Sequence, residues 1–524
     1  MKVLKSFASF SFFLSFSWVN AQTLNIGQQL TFGGSASDVP SRTLNTSDGG
    51  FITVGKSGSG ISGDKTESNR GANDFWIIKY NSSLAIQWQK TFGGTSGEGA
   101  NAVAELSNGD ILVCGGSASG ISGDKTAANY GLDDYWLVKL TSSGAFIWDK
   151  TYGGSNSDVA TSMVVDASNN IYIGGVSSSN SGAIKSENSR GGNDYWILKL
   201  DSAGTKLWDK TIGGSGGENL GAITLDNGDI VIQGISNSNI SGEKSDNSFN
   251  SSTDIWMVKV NNSGTILWDK TFGGDDFEMI GNVIIANNGY YYAICSSFSG
   301  ITGVKTEAAR GIADIWVIKV DASGNLVWDK TLGGSGTENG INLFMSDLNQ
   351  LIIFGSSDSN ISGDKTENSK GLQDGWILSL DTNKTLLWQK TIGGAATDLM
   401  YSVNEIATGY YVLTLSSTSN ISGDKTQNSK GSEDYWLVEL VTDLSVSSIA
   451  NSFNLKIYPN PAKDWINIST DDNSEALFEI YDLTSKLIKS DLLSGEYSLD
   501  ISSWPNGVYF IQYRSNVVKV VIAK

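Results

Sequence analysis

The sequence predicts an all-β fold, a seven-bladed β-propeller followed by a small immunoglobulin-like β-sandwich. Three observations predict the propeller. Tryptophans recur every 60 residues in two sets: Trp76, Trp136, Trp196, Trp256, Trp316, Trp376 and Trp436, then Trp88, Trp148, Trp208, Trp268, Trp328 and Trp388. Gly-Gly pairs begin at Gly33, Gly93, Gly153, Gly213, Gly273, Gly333 and Gly393, with the same period. Each unit holds four short runs rich in Val, Ile, Leu, Tyr and Trp, bounded by Gly, Ser, Asn and Asp, and shows no 3.6-residue period. Seven units of four strands read as seven blades. A parallel β-helix is the other repeat fold to weigh, but its coils are usually shorter and need not close at seven.

The chain starts with an address. Lys2 and Lys5 precede an apolar, Ser-rich stretch at 7–18, and Val19-Asn20-Ala21 is a plausible cleavage site. Residues 1–21 therefore read as a signal peptide, with Gln22 first in the mature chain. No other stretch is apolar enough to span a bilayer, so an integral membrane protein is not expected.

Residues 22–444 form the propeller. In the second unit the expected strands are 101–106, 110–115, 134–140 and 145–151. The third run, DYWLVKL, is apolar on both faces, as a strand covered by neighbouring blades should be. The fourth, FIWDKT, ends in charges that blunt an outer edge. The two Trp sets are expected to pack blade on blade, each burying an area worth on the order of 4–6 kcal/mol gross. Stacking platforms for glycans are the alternative use of these rings. At the N-terminus, LNIGQQLTFGG aligns with the outer-strand phrase, while after Leu440 no WDKT follows. Residues 24–31 are thus expected to complete the seventh blade and close the ring.

After a polar linker at 445–453, residues 454–524 carry three of the four prolines and short alternating strands with turn signals, which reads as a β-sandwich. Tyr458-Pro459-Asn460-Pro461 opens this segment, Phe478 to Asp482 sits in its middle, and Gly507-Val508-Tyr509 precedes the last hairpin. The segment resembles the C-terminal sorting domain of type IX secretion cargo in Bacteroidota. The resemblance implies Sec export to the periplasm, recognition of residues 454–524 by the type IX machinery, and a product secreted or attached to the outer-membrane surface. The propeller repeats are similar to those of exported proteins from such bacteria, a likeness that implies no activity.

Composition narrows the chemistry. The net charge of −19 argues against nucleic acid and anionic membranes. The absence of histidine excludes His-ligated metals, Ser-His-Asp triads and His bases. Cys114 and Cys295, three repeats apart, are expected to be buried thiols rather than a disulfide.

The recurrent acids are the candidate site. Asp74, Asp134, Asp194, Asp254, Asp314, Asp374 and Asp434 precede each third-strand Trp by two residues, where a carboxylate holds a turn by accepting backbone N–H bonds. Asp38, Glu98, Asp158, Glu218, Glu278, Glu338 and Asp398 follow each Gly-Gly pair. Near the channel this second set forms either a ring for a cation such as calcium, or turn bonds and ion pairs with Lys65, Lys125, Lys185, Lys244, Lys305, Lys365 and Lys425. The long loop between second and third strands reads SGDKT in most units, but Ile184 and Val304 replace its Asp. A strict metal loop would not accept that. In the fifth unit Asp275, Asp276 and Glu278 cluster, with Tyr290, Tyr291 and Tyr292 after them. Paired carboxylates can hydrolyse glycosides, which keeps a secreted hydrolase as one alternative. The favoured reading has no catalytic residues and no cofactor. It is a cell-surface or extracellular binding or adhesion scaffold whose ligand, protein or glycan, the sequence does not name, with a lectin-like glycan binder as the other alternative.

Overall fold

Seven antiparallel sheets of four strands form from residues 24–442 of the computed structural model. The structure describes residues 24–442 except 183 and 288, and 455–524 except 471–475, 483–485 and 514–515. The expected signal peptide and linker lie outside the described residues. Ala21–Thr442 is one compact unit, and the sorting segment belongs to a second.

Blade 1 shows the plan. Its strands, from the channel outward, are Asp38–Asn45, Phe51–Ser57, Asp74–Tyr80 and Ile86–Phe92. Every residue of Asp74–Tyr80 is buried, because neighbouring blades cover both faces of the sheet. The outer strand is exposed at its start and buried at its end. In blade 2 the inner strand is Glu98–Glu105 and so begins three residues before the expected 101. Its buried part alternates with half-buried positions that face the channel, which hides the start from a search for apolar runs.

Blade 7 is completed by Leu24–Phe32, which pairs antiparallel with Asp434–Thr442 from Leu24 opposite Thr442 to Phe32 opposite Tyr435. The expected closure by residues 24–31 is therefore observed, one residue longer. Blades 1 and 7 share a core in which Phe32, Phe51, Trp76, Tyr435 and Leu437 pack together. Trp76 lies 4.9 Å from the Tyr435 ring. The same contact recurs between Tyr135 and Trp196 and between Tyr195 and Trp256. The first Trp set is fully buried, each ring against the preceding blade. In the second set Trp388 is buried and the others are half-buried. The indole N–H groups of Trp88, Trp208 and Trp268 donate to Ser142, Asn262 and Ala322 carbonyls of the following blade, at 3.0–3.1 Å.

Inner strands carry a bulge at one repeated place. The register slips between Pro40 and Arg42, Ala100 and Ala102, Ala160 and Ser162, Leu220 and Ala222, Gly340 and Asn342, and Met400 and Ser402. A bulge bends its strand and re-aims the extra side chain. Here the extra residues are Ser41, Asn101, Thr161, Gly221, Ile341 and Tyr401.

Residues 456–522 form two sheets. One holds Lys456–Tyr458, Trp465–Ser469 and Glu496–Asp500. The other holds Leu487–Leu493, Ala476–Asp482, Gly507–Tyr513 and Asn516–Ile522. Ile466, Ile468, Phe478, Ile480, Ile511 and Val520 fill the space between them, as a sandwich requires.

Candidate functional site

Each of the seven acids after a Gly-Gly pair sits at the first position of its inner strand and is at most 3% exposed. One carboxylate oxygen accepts the N–H of the second glycine. The distances are 2.6 Å for Asp38 to Gly34, 2.9 Å for Glu98 to Gly94, 2.8 Å for Glu218 to Gly214 and 2.6 Å for Asp398 to Gly394. Asp158, Glu278 and Glu338 repeat the bond to Gly154, Gly274 and Gly334. Each also accepts a serine hydroxyl from its own blade, such as Ser117 on Glu98 at 2.9 Å and Ser357 on Glu338 at 2.6 Å. The structure thus places all seven inside their blades, not along the channel wall, because the backbone N–H groups that need them lie there. Among the described residues no three His, Cys, Asp or Glu side chains converge as a metal would need.

The other acidic set holds turns as the sequence indicated. Asp74 accepts Arg70 N–H, Asp134 accepts Tyr130 N–H and Asp374 accepts Lys370 N–H, each at 2.5 Å. What the sequence reading missed is that the two sets meet across blade boundaries. A methyl group on Gly213 would strike Asp194 Oδ1 at 1.8 Å and Glu218 Oε2 at 2.9 Å. The same holds at Gly273 for Asp254 and Glu278, and at Gly333 for Asp314 and Glu338. The first glycine of the pair is required because the third-strand aspartate, joined at Gly213, Gly273 and Gly333 by the second acid, occupies the space of its side chain.

Burial drives the carboxyls up. It raises all seven third-strand aspartates, and the partner acid across the boundary adds to the rise in every case except Asp194, where Glu218 is the member raised by it. Asp134 is pushed up to about 6. In Asp74, Asp134, Asp194, Asp314, Asp374 and Asp434 the Oδ1 atom has no hydrogen-bond partner while both groups are ionised. A proton on one acid of a pair removes the like-charge repulsion between the two.

The recurrent lysines do not form close ion pairs with these acids. Each is at most 2% exposed. Lys125 lies 5.5 Å from the Trp136 ring centre, and Lys244, Lys365 and Lys425 repeat this over Trp256, Trp376 and Trp436 at 5.4–5.5 Å. Lys65 and Lys305 bond the outer-strand hydroxyls of Thr91 and Thr331 at 2.9 Å. Burial lowers Lys65, Lys125, Lys244 and Lys425 to about 8.

The SGDKT loop is a latch between blades. Its acid takes the first Gly N–H of the Gly-Gly pair, as Asp64 does from Gly33 at 3.1 Å. It also pairs with a cation of the preceding blade: Arg70 with Asp124 at 2.9 Å, Arg190 with Glu243 at 2.7 Å and Arg310 with Asp364 at 2.6 Å, then Lys370 with Asp424 and Lys430 with Asp64. The two interfaces without the acid also lack the cation. Tyr130 precedes Ile184, and Asn250 precedes Val304. Ile184 and Val304 instead pack against the hydrophobic cores. In a double-mutant cycle, Ile184→Asp alone is expected to destabilise the fold, and adding Tyr130→Arg to recover about 0.5–1 kcal/mol by denaturant unfolding.

The fifth-unit cluster divides. Asp275 and Asp276 are exposed, and Glu278 is buried beside Asp254. Glu278 lies opposite Ser297, but Tyr290 lies opposite Asn287 at the other end of the hairpin. Tyr291 is buried and donates to Asp226 at 2.6 Å. The acids and tyrosines therefore do not meet. Cys114 and Cys295 are buried free thiols, with burial pushing the Cys114 thiol up to about 12.

In the C-terminal segment the motif residues tie its ends together. Asn460 donates to Lys519 carbonyl at 2.9 Å and accepts Val521 N–H at 2.8 Å. Tyr458, half exposed, donates to Glu496 at 2.6 Å. Pro459 and Pro461 flank Asn460, and Ala462 N–H donates to the Val521 carbonyl at 2.8 Å. Gly507 and Val508 pair with Ile522 and Val521. Tyr509 enters the core and its hydroxyl donates to Pro505 carbonyl at 3.1 Å.

Among solved structures, the chain is similar in outline to the Pan2 WD40 domain of Neurospora crassa (TM-score 0.44, 9% identity, 81% of this chain and 97% of that one). It is also similar to a Dyadobacter fermentans protein of unknown function (TM-score 0.40, 9% identity, 80% and 99%). No curated protein matches the chain. Among the described residues no helix is long and apolar enough to cross a membrane. Residues 456–524 match the family described as secretion system C-terminal sorting domain. The protein is therefore a type IX secretion cargo, a β-propeller carried to the cell surface or beyond by its C-terminal sorting domain.

Proposed function

We propose that the propeller is a non-catalytic binding scaffold that engages an extracellular protein partner through its long-loop face. One observation carries this reading. Ile61, Ile121, Ile240, Ile301, Ile361 and Ile421 stand at the tips of six of the seven long loops and are 60–69% exposed. Only blade 3 departs, with Ser181 in the corresponding place. Leu132, Ile312 and Leu372 add exposed apolar surface at the ends of the same loops. Every long loop joins the second strand to the third, so all tips lie on one face of the ring. A single exposed isoleucine needs no explanation, but a ring of them on one face is what a docking surface supplies. Six side chains at roughly 1.5–3 kcal/mol each would contribute on the order of 10 kcal/mol gross on burial. The Trp sets give less support to glycan stacking, since one is fully buried and indoles of the other are tied to the next blade.

The test is binding of the fluorescently labelled full-length chain to intact cells, with calcium and with chelator. A variant carrying Ile→Ser at the six tips is expected to lose at least ten-fold in affinity without a change in melting temperature. Retained binding by that variant would sink the reading. Loss of binding on treating the cells with glycosidase but not protease would replace the protein partner with a glycan. Chelator sensitivity would restore a cation to the account.

A further inference from the structure

A ring of equal blades can hold one partner in one orientation only where its units differ. Blade 6 is such a place. The residue before each third-strand Trp reads Phe75, Tyr135, Tyr195, Ile255, Ile315, Gly375 and Tyr435. The Tyr135 and Tyr195 hydroxyls donate to the Trp196 and Trp256 carbonyls of the next blade at 3.1 and 3.2 Å. Gly375 sends no side chain across, and Met400 fills the space, its Cε 2.7 Å from where a Cβ would lie. The inner strand is thin here too, with Gly340 where blades 5 and 7 have Ile280 and Met400. A cavity of about 250 Å³ opens at this place across the inner strands of blades 5–7. Its mouth is on the long-loop face. Gln373 ends the long loop of blade 6, and Met279, Asn339 and Leu399 are the second residues of their inner strands.

The lining is mixed, and its two parts ask for different things. Met279, Ile341, Leu399, Met400 and Tyr401 form apolar walls. Ser296, Ser356, Asn339 and Gln373 are polar. The two serines are already used: their hydroxyls accept Gly340 and Met400 N–H at 2.9 and 3.3 Å and tie neighbouring inner strands together. Among the described residues the side-chain amides of Asn339 and Gln373 have no partner. Among them, too, no Asp, Glu, Lys or Arg lines the cavity, which selects a neutral occupant.

We propose that this cavity is the anchor pocket of the docking face. It takes one large neutral side chain from an extended loop of the protein partner, while Asn339 and Gln373 bond the backbone amides that carry it. The inference rests on the reading of the long-loop face as a docking surface. Size favours this occupant, because sites for whole small molecules run to roughly 300–1,000 Å³. Position favours it as well. The pocket lies inside the ring of isoleucine tips, and binding energy concentrates in central pockets sheltered by surrounding contacts. Met279 and Met400 let the walls adapt to the side chain that enters. A bare hydrocarbon would leave both amides unpaired. A sugar would set its hydroxyls against Met279, Ile341 and Leu399.

The experiment is ligand-observed NMR titration of the full-length chain with N-acetylphenylalaninamide, N-acetylalaninamide and toluene. The phenylalanine amide is expected to bind at least ten-fold more tightly than the alanine amide, since only its ring fills the pocket. Asn339→Leu combined with Gln373→Leu should weaken the phenylalanine amide and spare toluene. Leu399→Asn should weaken both and also lower binding of the labelled chain to cells. The variant with Ile→Ser at the six tips should bind the probes as the parent does, so its loss of cell binding reports on the docking face alone. On the unaltered chain, equal affinity for the two amides, or binding of neither, overturns the pocket and leaves the docking face standing. So does undiminished cell binding by folded Leu399→Asn, or an unchanged affinity for the phenylalanine amide in the folded double variant.

Discussion

Asp134→Asn is expected to gain stability over the parent chain as pH rises from 3 to 8, by about 3 kcal/mol across that range. An unfolded aspartate loses its proton near 3.8, whereas folded Asp134 keeps it to about 6. Between these values the native state binds more protons than the unfolded state, so this group's contribution to stability falls as pH rises. The difference between 3.8 and about 6 corresponds to about 3 kcal/mol. Asparagine reproduces the protonated acid. Its carbonyl accepts Tyr130 and Gly131 N–H as Oδ2 does now, and its amide carries no charge to oppose Asp158. The variant should match the parent near pH 3 and exceed it at pH 8 in urea unfolding. Parallel stability curves for the two proteins would show that folded Asp134 does not keep its proton above the unfolded value. Burial raises the third-strand aspartate at all seven interfaces, so the parent chain carries the same liability seven times.

Deleting residues 22–32 is expected to lower the melting temperature by on the order of 10 °C and to promote association. The lost strand pairs with Asp434–Thr442 over its length. Gln29 donates to Asp424 carbonyl at 2.7 Å, and Thr31 N–H donates to Gln427 at 2.7 Å. Leu24, Ile26, Leu30 and Phe32 contribute apolar contacts to the two cores beside it. Without them blade 7 presents an unpaired third strand that is apolar on both faces, a template for a second copy. A monomeric deletion variant with unchanged melting temperature would mean that the ring does not depend on this closure. The effect is readable by differential scanning calorimetry and size-exclusion chromatography.

The period of 60 made the blades and their closure legible, since Trp and Gly-Gly mark the same places in every unit. The acid pairs were harder to see. Asp74 and Glu98 lie 24 residues apart, as do Asp134 and Asp158, and Asp434 meets Asp38 only because the ring closes. That constant offset was the available signal, but each acid alone has an adequate role within its own turn. The latch was half visible. Ile184 and Val304 ruled out a strict metal loop, yet they make sense only beside Tyr130 and Asn250 of the preceding blades, 54 residues earlier. The exposed isoleucines gave no signal at all. Apolar residues in a loop are as often packed beneath it as held out to solvent, and only the folded loop distinguishes the two. The channel positions were obscured by the bulge, which shifts the strand's alternation by one residue.

The most direct test of the binding account places a photo-reactive residue at either of two exposed isoleucines in the full-length chain and illuminates it on intact cells. Ile121 stands on a long-loop tip at 69% exposure, and Ile147 on the outer strand of the same blade at 41%. The account predicts a discrete protein adduct through position 121 and none through 147. Adducts through 147 with none through 121 would contradict it and move the binding surface to the rim of the ring.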